Sequence, residues 1–160
     1  MKHIVGIAEM IISTDPGDTM ITYALGSCLG ITFYDPRNKV GALLHVMLPQ
    51  SSIDPVKAQK NPYMFVDTGV ESMLNQFLSK GGNKNSLIVK VAGGASFKKP
   101  GENDLFEIGK RNFTMFRKLL WQKGIMLKSF DVGSNITRNI SIDVGTGIVI
   151  VKSEGVDKQL

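Results

Sequence analysis

The sequence is poor in thiols and imidazoles, with one cysteine, Cys28, and two histidines among 160 residues. A single cysteine cannot form an internal disulfide, and nothing else in the sequence points to an oxidising compartment. No stretch approaches the roughly 20 apolar residues of a membrane span. The apolar start of the chain is too interrupted to serve as a secretory signal. We therefore expect a cytoplasmic protein without membrane insertion.

Acidic residues are also relatively scarce. The chain has 14 of them and 19 lysines and arginines, which gives a formal net charge of +5. Such a balance favours acidic partners. The basic residues are scattered, however, and the chain has no dense basic run and no RRM, KH or zinc-finger motif. We expect no nucleic-acid binding. No group of residues has metal-ligand spacing, so no metal or organic cofactor is predicted.

The pattern of apolar residues indicates an α+β fold. Residues 3–13 are β-branched and partly alternating, which predicts a first strand, and several short strands follow. Helical spacing predicts one helix from Tyr63 to about Lys80 and another from about Ile108 to Gly124, with three closing strands after it. Two helices packed on a mostly antiparallel sheet or sandwich account for this order.

One domain, residues 1–153, is the expected organisation, because 160 residues is an ordinary length for a single domain. The last residues, 154–160 (EGVDKQL), are predicted to be a mobile tail. Trp121 is expected to pack the second helix against the sheet.

The sole cysteine and one of the histidines, His45, lie on two predicted strands joined by a tight DPRN turn. If Pro36 and Arg37 are the central turn residues, Cys28 lies directly opposite His45 in the hairpin. A four-residue loop over residues 35–38 gives the same register, whereas a three-residue loop shifts it by one. Directly opposed residues have Cβ atoms about 4.5–5.5 Å apart, which brings a thiol within reach of an imidazole.

These two residue types suit nucleophilic catalysis. A free thiol has a pKa of about 8.5, and a neighbouring histidine can take its proton to form a thiolate–imidazolium pair and later pass the proton to a leaving amine. The alternative is structural: Cys28 as a small buried apolar residue and His45 as a satisfied core histidine.

The residues around the cysteine and the histidine could shape such a site. Gly26 permits a sharp turn and close approach of a substrate. Backbone N–H groups at Ser27 and Cys28 are candidates for an oxyanion hole. Met47, two residues after His45, is a candidate lining residue.

Five segments, in this order, resemble the chemoreceptor glutamine deamidase family CheD over essentially the whole chain: ITYALGSCLGITFYDP, GALLHVMLP, VAGGASF, IGKRN and TGIVIVK. The most specific part is LGSC followed by HxMLP. The resemblance implies Cys28 as the nucleophile, His45 as the base and Thr22 as the third member of a triad. It also implies a three-layer α/β/α-type sandwich, similar to the deamidase domain of cytotoxic necrotising factor toxins.

One segment departs from the family pattern. The family carries a DxGGxxGR segment, whereas this chain reads DVGSNITR, with Ser134 and Thr137 in place of glycines and Arg138 kept. The departure affects the expected shape of this loop and leaves the triad unchanged.

The resemblance implies hydrolytic deamidation of glutamine side chains on the cytoplasmic helices of methyl-accepting chemotaxis proteins, and hydrolysis of receptor methyl esters by the same chemistry. It also implies a partner, the CheC phosphatase. The alternative function is therefore a regulatory module that binds CheC, with deamidase activity secondary or absent.

Overall fold

The computed structural model describes residues 1–99, 101–102 and 107–160. Within this part the chain forms ten strands and three α-helices. The strands are β1 (Lys2–Ile4), β2 (Glu9–Ser13), β3 (Thr19–Leu25), β4 (Leu29–Asp35), β5 (Val40–Val46), β6 (Ile88–Gly93), β7 (Leu127–Val132), β8 (Arg138–Asp143), β9 (Val149–Ser153) and β10 (Val156–Gln159). The helices are α1 (Pro55–Lys60), α2 (Val66–Ser79) and α3 (Ile108–Gln122).

The strands form two five-stranded sheets. We call the sheet β2-β5-β4-β6-β7 the central sheet and the sheet β1-β3-β8-β9-β10 the outer sheet. The β1–β3 and β6–β7 pairs are parallel, and the other pairings are antiparallel. The α+β class and the mostly antiparallel strands predicted from the sequence are thus confirmed.

The central sheet is covered on both faces, which explains why every residue of β4 and β5 is buried. One face packs against α2 and α3, where Phe33 meets Phe77 edge to face with ring centroids 5.8 Å apart. The other face packs against the outer sheet, where Leu43 joins a cluster with Met20 and Ile140.

The layers therefore follow the order helices, sheet, sheet, in place of the helix–sheet–helix order implied by the resemblance. The positions of the helices in the chain explain this order. Helix α2 lies between β5 and β6, and α3 connects the parallel pair β6 and β7, so both helices connect strands of the central sheet. They pack on the face that the outer sheet leaves free. The opposite face of the outer sheet is open to solvent at Ile4 and Tyr23.

The predicted first strand, residues 3–13, is two strands that belong to different sheets. Strand β1 pairs with β3 in the outer sheet, and β2 pairs with β5 in the central sheet. The chain turns between them through Ala8, which adopts a left-handed φ of 57°. Apolar residues continue through this turn, so the hydrophobic pattern alone does not reveal it.

The C-terminal segment expected to be mobile instead forms the edge strand β10, paired with β9 over residues 156–159. Glu154 and Gly155 connect the two strands with φ values of 51° and 76°. Two successive positive φ values are the signature of a type I′ hairpin turn, which favours glycine at its second central position. The backbone N–H of Leu160 also donates to Val149 O at 3.0 Å.

Trp121 does not pack α3 against the sheet as expected, because its side chain is 80% exposed, while Phe116 on the same helix is fully buried. We predict that Trp121→Ala changes the free energy of unfolding by less than about 0.5 kcal/mol, and that Phe116→Ala lowers it by about 3–5 kcal/mol. Urea denaturation of both variants measures this difference. A loss above about 1 kcal/mol for Trp121→Ala would contradict the exposed position.

Candidate active site

The segment that carries the cysteine crosses from one sheet to the other. Strand β3 belongs to the outer sheet and β4 to the central sheet, and residues 26–28 connect them. Before the crossing, β3 has a bulge between Thr22 and Leu25, where Ala24 adopts a φ of 58° and donates its N–H to Asn139 Oδ1 at 2.9 Å. Bulges of this kind redirect a strand next to functional sites. Cys28 lies half-buried at the end of the crossing.

The hairpin register differs from the predicted one by two residues. Gly30, and not Cys28, pairs directly with His45. The reason is the loop: the closing pair is Asp35 with Val40, so the four loop residues are 36–39. Lys39 ends the loop in a left-handed conformation with a φ of 54°.

An even shift preserves the alternation of side chains, so a β4 extended back by one residue would place position 28 on the sheet face that carries His45. Cys28 itself lies in the bend just before β4 and packs against the apolar cluster between the two sheets. Gly30 carries no side chain. A Cβ there would come within 2.5 Å of Ile140 Cγ2 and 2.9 Å of Leu25 Cδ1, so only glycine fits.

A chain of two hydrogen bonds orients the imidazole of His45 between the sheets. His45 Nδ1 lies 2.7 Å from Thr22 Oγ1, and Thr22 Oγ1 donates to Val5 O at 2.7 Å. Because the single hydroxyl proton goes to Val5, the threonine accepts from Nδ1, which therefore carries the ring proton. Nε2 is left with a free lone pair. It is buried and has no hydrogen-bond partner in the described part of the chain.

Burial sets the protonation of both reactive groups. It lowers the pKa of His45 from 6.5 to about 4. It also raises the pKa of the Cys28 thiol, although the residue's own backbone N–H acts in the opposite direction. Both directions favour the neutral forms at neutral pH. Burial thus favours a neutral thiol and a neutral imidazole over a thiolate–imidazolium pair.

A glycine turn after β6 holds the backbone of the cysteine segment. The N–H of Gly94 donates to Cys28 O, and the N–H of Ala95 donates to Gly26 O, both at 2.9 Å. Gly93 approaches so closely that a Cβ there would lie 2.0 Å from Cys28 O. Its φ of 118° is equally restricted to glycine.

Arg138 connects this glycine turn to the DVGSNITR loop. Its buried guanidinium donates to Gly93 O at 3.2 Å and Gly133 O at 2.9 Å, and pairs with Asp131 at 3.2 Å. Ser134 in the same loop has a left-handed φ of 62°, a conformation that costs a non-glycine residue about 1–2 kcal/mol. Arg138 contacts backbone carbonyls, and Ser134 and Thr137 are exposed, so the departure from the family pattern leaves the arginine contacts intact.

Asn112 is a site residue that the sequence pattern did not identify. Its buried side chain donates from Nδ2 to Ser27 O at 2.9 Å and to Met47 O at 3.0 Å. It thus connects the cysteine segment to the chain just after His45. The burial of Asn112 was predictable from the sequence, because Asn112 lies one helical turn before the buried Phe116 on the apolar face of α3.

The other predicted site residues lie at the same place. Within the described residues, neither the N–H of Ser27 nor that of Cys28 donates to a backbone carbonyl, and the Cys28 N–H interacts with the residue's own thiol. A Cβ at Gly26 would lie 3.1 Å from the ring of Phe97, which is half exposed. Met47 is positioned through its backbone, with its N–H donating to Met64 O at 2.9 Å.

The described residues form neither a metal-binding group nor a membrane-spanning helix. Across residues 1–99, 101–102 and 107–160, no three His, Cys, Asp or Glu side chains come together as a metal-binding group. Of the helices in these ranges, none has the length and apolar character to cross a membrane.

Comparison with known proteins identifies close relatives. A family model described as CheD chemotactic sensory transduction matches residues 47–153. A protein of Solibacter usitatus named probable chemoreceptor glutamine deamidase CheD is 42% identical over 157 residues, which cover 98% of this chain and 92% of that protein. A protein of Syntrophus aciditrophicus named probable chemoreceptor glutamine deamidase CheD 1 is 45% identical over 152 residues, or 95% and 94% of the two chains. Both matches extend over the segment with Thr22, Cys28 and His45.

We predict that the rate of Cys28 alkylation by iodoacetamide rises from about pH 7 to about pH 9 without a plateau, because burial raises the thiol pKa and only the thiolate reacts. His45→Gln serves as the matched control. It should leave the rise without a plateau, since a neutral imidazole does not stabilise a thiolate. A plateau below about pH 7 that His45→Gln removes would instead reveal an ion pair.

Proposed function

The chain belongs to the CheD family, and on this premise we propose that it hydrolyses glutamine side chains of bacterial chemoreceptors to glutamate, with Cys28 as the nucleophile. The observation that carries the proposal is the free, buried Nε2 of His45. Its tautomer is set by Thr22, and Cys28 packs against the apolar cluster between the same two sheets. A neutral imidazole in this state is a general base.

In the first half-reaction, Cys28 attacks the amide carbon of the substrate glutamine. A bond forms between Sγ and the carbon, the thiol proton passes to His45 Nε2, and the carbonyl electrons move to the oxygen. Collapse of this tetrahedral intermediate breaks the C–N bond. The proton on Nε2 passes to the nitrogen, which leaves as ammonia, and a glutamyl thioester remains.

In the second half-reaction, water attacks the thioester carbon while His45 Nε2 takes a proton from it. The second tetrahedral intermediate collapses, the C–S bond breaks, and the proton returns from Nε2 to the sulfur. The product is glutamate and the enzyme is regenerated. The same steps on a receptor methyl ester would release methanol in place of ammonia, and we include that activity in the proposal.

Thr22 fixes the tautomer and orientation of His45, a role that an acidic residue has in other triads. A hydroxyl has no charge with which to stabilise the imidazolium that forms during each half-reaction. We therefore assign Thr22 a smaller share of the catalysis than Cys28. The N–H groups of Ser27 and Cys28 are the proposed donors to the oxyanion.

The solvent-facing side of α3 is the proposed contact surface for the receptor. The helix carries Lys110, Arg111, Arg117 and Lys118 and has no acidic residue. A groove of about 290 Å³ runs between α3 and the Pro49–Gln50 segment that follows β5. Three of its lining residues are cationic and one, Glu107, is acidic, so the groove has a net positive rim that suits an acidic helical substrate. Each deamidation adds a carboxylate to that substrate.

The CheC phosphatase is retained as a proposed partner, and a binding module without deamidase activity is the alternative function. The two functions differ in what Cys28 contributes. Deamidation requires the thiol, whereas binding of CheC to the folded protein does not.

We predict that incubation with this protein changes the mass of a chemoreceptor cytoplasmic fragment by the difference between OH and NH₂ at specific glutamines, and that Cys28→Ala abolishes the change. Intact mass and peptide sequencing detect it. Thr22→Ala should slow the reaction less than Cys28→Ala does, and Thr22→Ser, which keeps the hydroxyl, should remain close to wild type.

No mass change with several receptor fragments and a folded protein would contradict the deamidase proposal. Retained binding of CheC under those conditions would then favour the regulatory module. A mass change that persists in Cys28→Ala would assign the reaction to another nucleophile.

We predict that Lys110→Glu and Lys118→Glu raise KM for the receptor fragment several-fold with little change in kcat, and that added salt reduces the difference from wild type. Lys152→Glu is the matched control, because Lys152 is also exposed but lies on β9 of the outer sheet. An equal rise in KM for the control would show that net charge, and not the α3 surface, governs binding.

A further inference from the structure

Among the residues that the structure describes, Asn112 is the one side chain that holds the cysteine segment through hydrogen bonds to its backbone. Its residue surface is fully buried, and Nδ2 uses its two hydrogens on two carbonyls, Ser27 O at 2.9 Å and Met47 O at 3.0 Å. The first carbonyl belongs to the residue before Cys28. The second belongs to the residue two positions after His45.

Stability alone does not explain an asparagine at this position. Asparagine is a poor residue for a helix interior, and Asn112 lies within α3. Its Oδ1 is buried without a hydrogen-bond partner among the described residues, a situation that costs about 1–3 kcal/mol. A buried polar group that tolerates such a cost calls for a functional explanation.

The geometry of the peptide bond supplies that explanation. In a trans peptide the C=O of one residue and the N–H of the next lie in one plane and point in opposite directions. The C=O of Ser27 and the N–H of Cys28 form one such unit. A hydrogen bond that fixes Ser27 O therefore also fixes the direction of the Cys28 N–H, a proposed oxyanion donor.

Three successive peptide units are held in this way. Ala95 N–H holds Gly26 O, Asn112 Nδ2 holds Ser27 O, and Gly94 N–H holds Cys28 O. The outer two contacts come from backbone and persist whatever side chains are present. The middle contact alone comes from a side chain, so it alone can be removed by substitution.

The first turn of α3 is itself pressed against the glycine turn that supplies the outer contacts. A Cβ at Gly109 would lie 2.3 Å from Ala95 O and 2.7 Å from the carbonyl carbon of Gly94. This backbone-to-backbone packing leaves α3 little freedom to shift. Asn112, one turn along the helix, is thus held rigidly relative to the cysteine segment.

We propose that Asn112 is a positioning residue for catalysis: its amide fixes the Ser27–Cys28 peptide so that the Cys28 N–H faces the developing oxyanion, and it holds this segment at a set separation from the strand end that carries His45. The inference rests on the proposed function, in which Cys28 attacks a carbonyl carbon. It does not depend on which carbonyl compound is the substrate.

Two small reagents separate this role from a purely structural one. p-Nitrophenyl acetate acylates Cys28 through a tetrahedral oxyanion, whereas iodoacetamide alkylates it without one. The rates of both reactions are measured by intact mass for the wild type, Asn112→Ala and Asn112→Asp, with Cys28→Ala as the background. Aspartate keeps the shape of asparagine and replaces its donor by an acceptor.

We expect acylation to slow by about 100-fold in both Asn112 variants, the lower end for loss of one oxyanion donor, while alkylation changes less than about 3-fold. With a receptor fragment, kcat should fall and KM should stay nearly constant. Phe116→Leu, one turn along the same helix and in the core, is the matched control. It lowers stability while keeping the ratio of the two rates at the wild-type value.

Equal losses of acylation and alkylation in the Asn112 variants would show a structural role and overturn the proposal, as would an unchanged acylation rate. The small reagents also separate this inference from the proposed function. A wild-type protein that deamidates no receptor, but whose acylation depends selectively on Asn112, would refute the substrate and support the positioning role.

Discussion

The hydrogen bond between Thr22 and His45, 2.7 Å long, crosses the interface between the two sheets, and the remaining structure depends on it. Both side chains are buried against an apolar cluster that contains Met20 and Ile140. A polar pair in such surroundings is tolerated only when its hydrogen bonds are made. A slip of one residue in either sheet would separate the pair, so this bond selects both the sheet register and the orientation of the His45 imidazole.

The cysteine is positioned by backbone contacts more than by side chains. Three successive carbonyls, those of residues 26–28, accept hydrogen bonds from the glycine turn and from Asn112. Close approach of two backbones requires glycine at Gly93 and at Gly109, where a side chain would overlap neighbouring atoms. This explains why the segments VAGGASF and IGKRN, which carry no obvious catalytic residue, accompany the cysteine and the histidine in the sequence.

Features of the site that follow from the alternation of side chains along a strand could be predicted from the sequence. Features that depend on the backbone conformation of a single residue could not. The hairpin of β4 and β5 forms as predicted, but its register depends on Lys39, whose left-handed conformation the sequence does not specify. The same limit applies at Ala8, where one turn sends two strands into different sheets. Trp121 is different, because the helical period places it well away from the buried Phe116, and its exposure was predictable.

Burial of the site bears on where the proposed mechanism would gain its rate enhancement. It raises the pKa of Cys28 and lowers that of His45 to about 4, and both directions favour the neutral thiol and the neutral imidazole. In the proposed mechanism, the rate enhancement then comes from proton transfer to His45 during attack and from N–H donors that act only on a developing oxyanion. An electrophile without a carbonyl oxygen would receive no help from those donors. The proposed mechanism therefore implies a thiol that is selective for carbonyl substrates without being generally reactive.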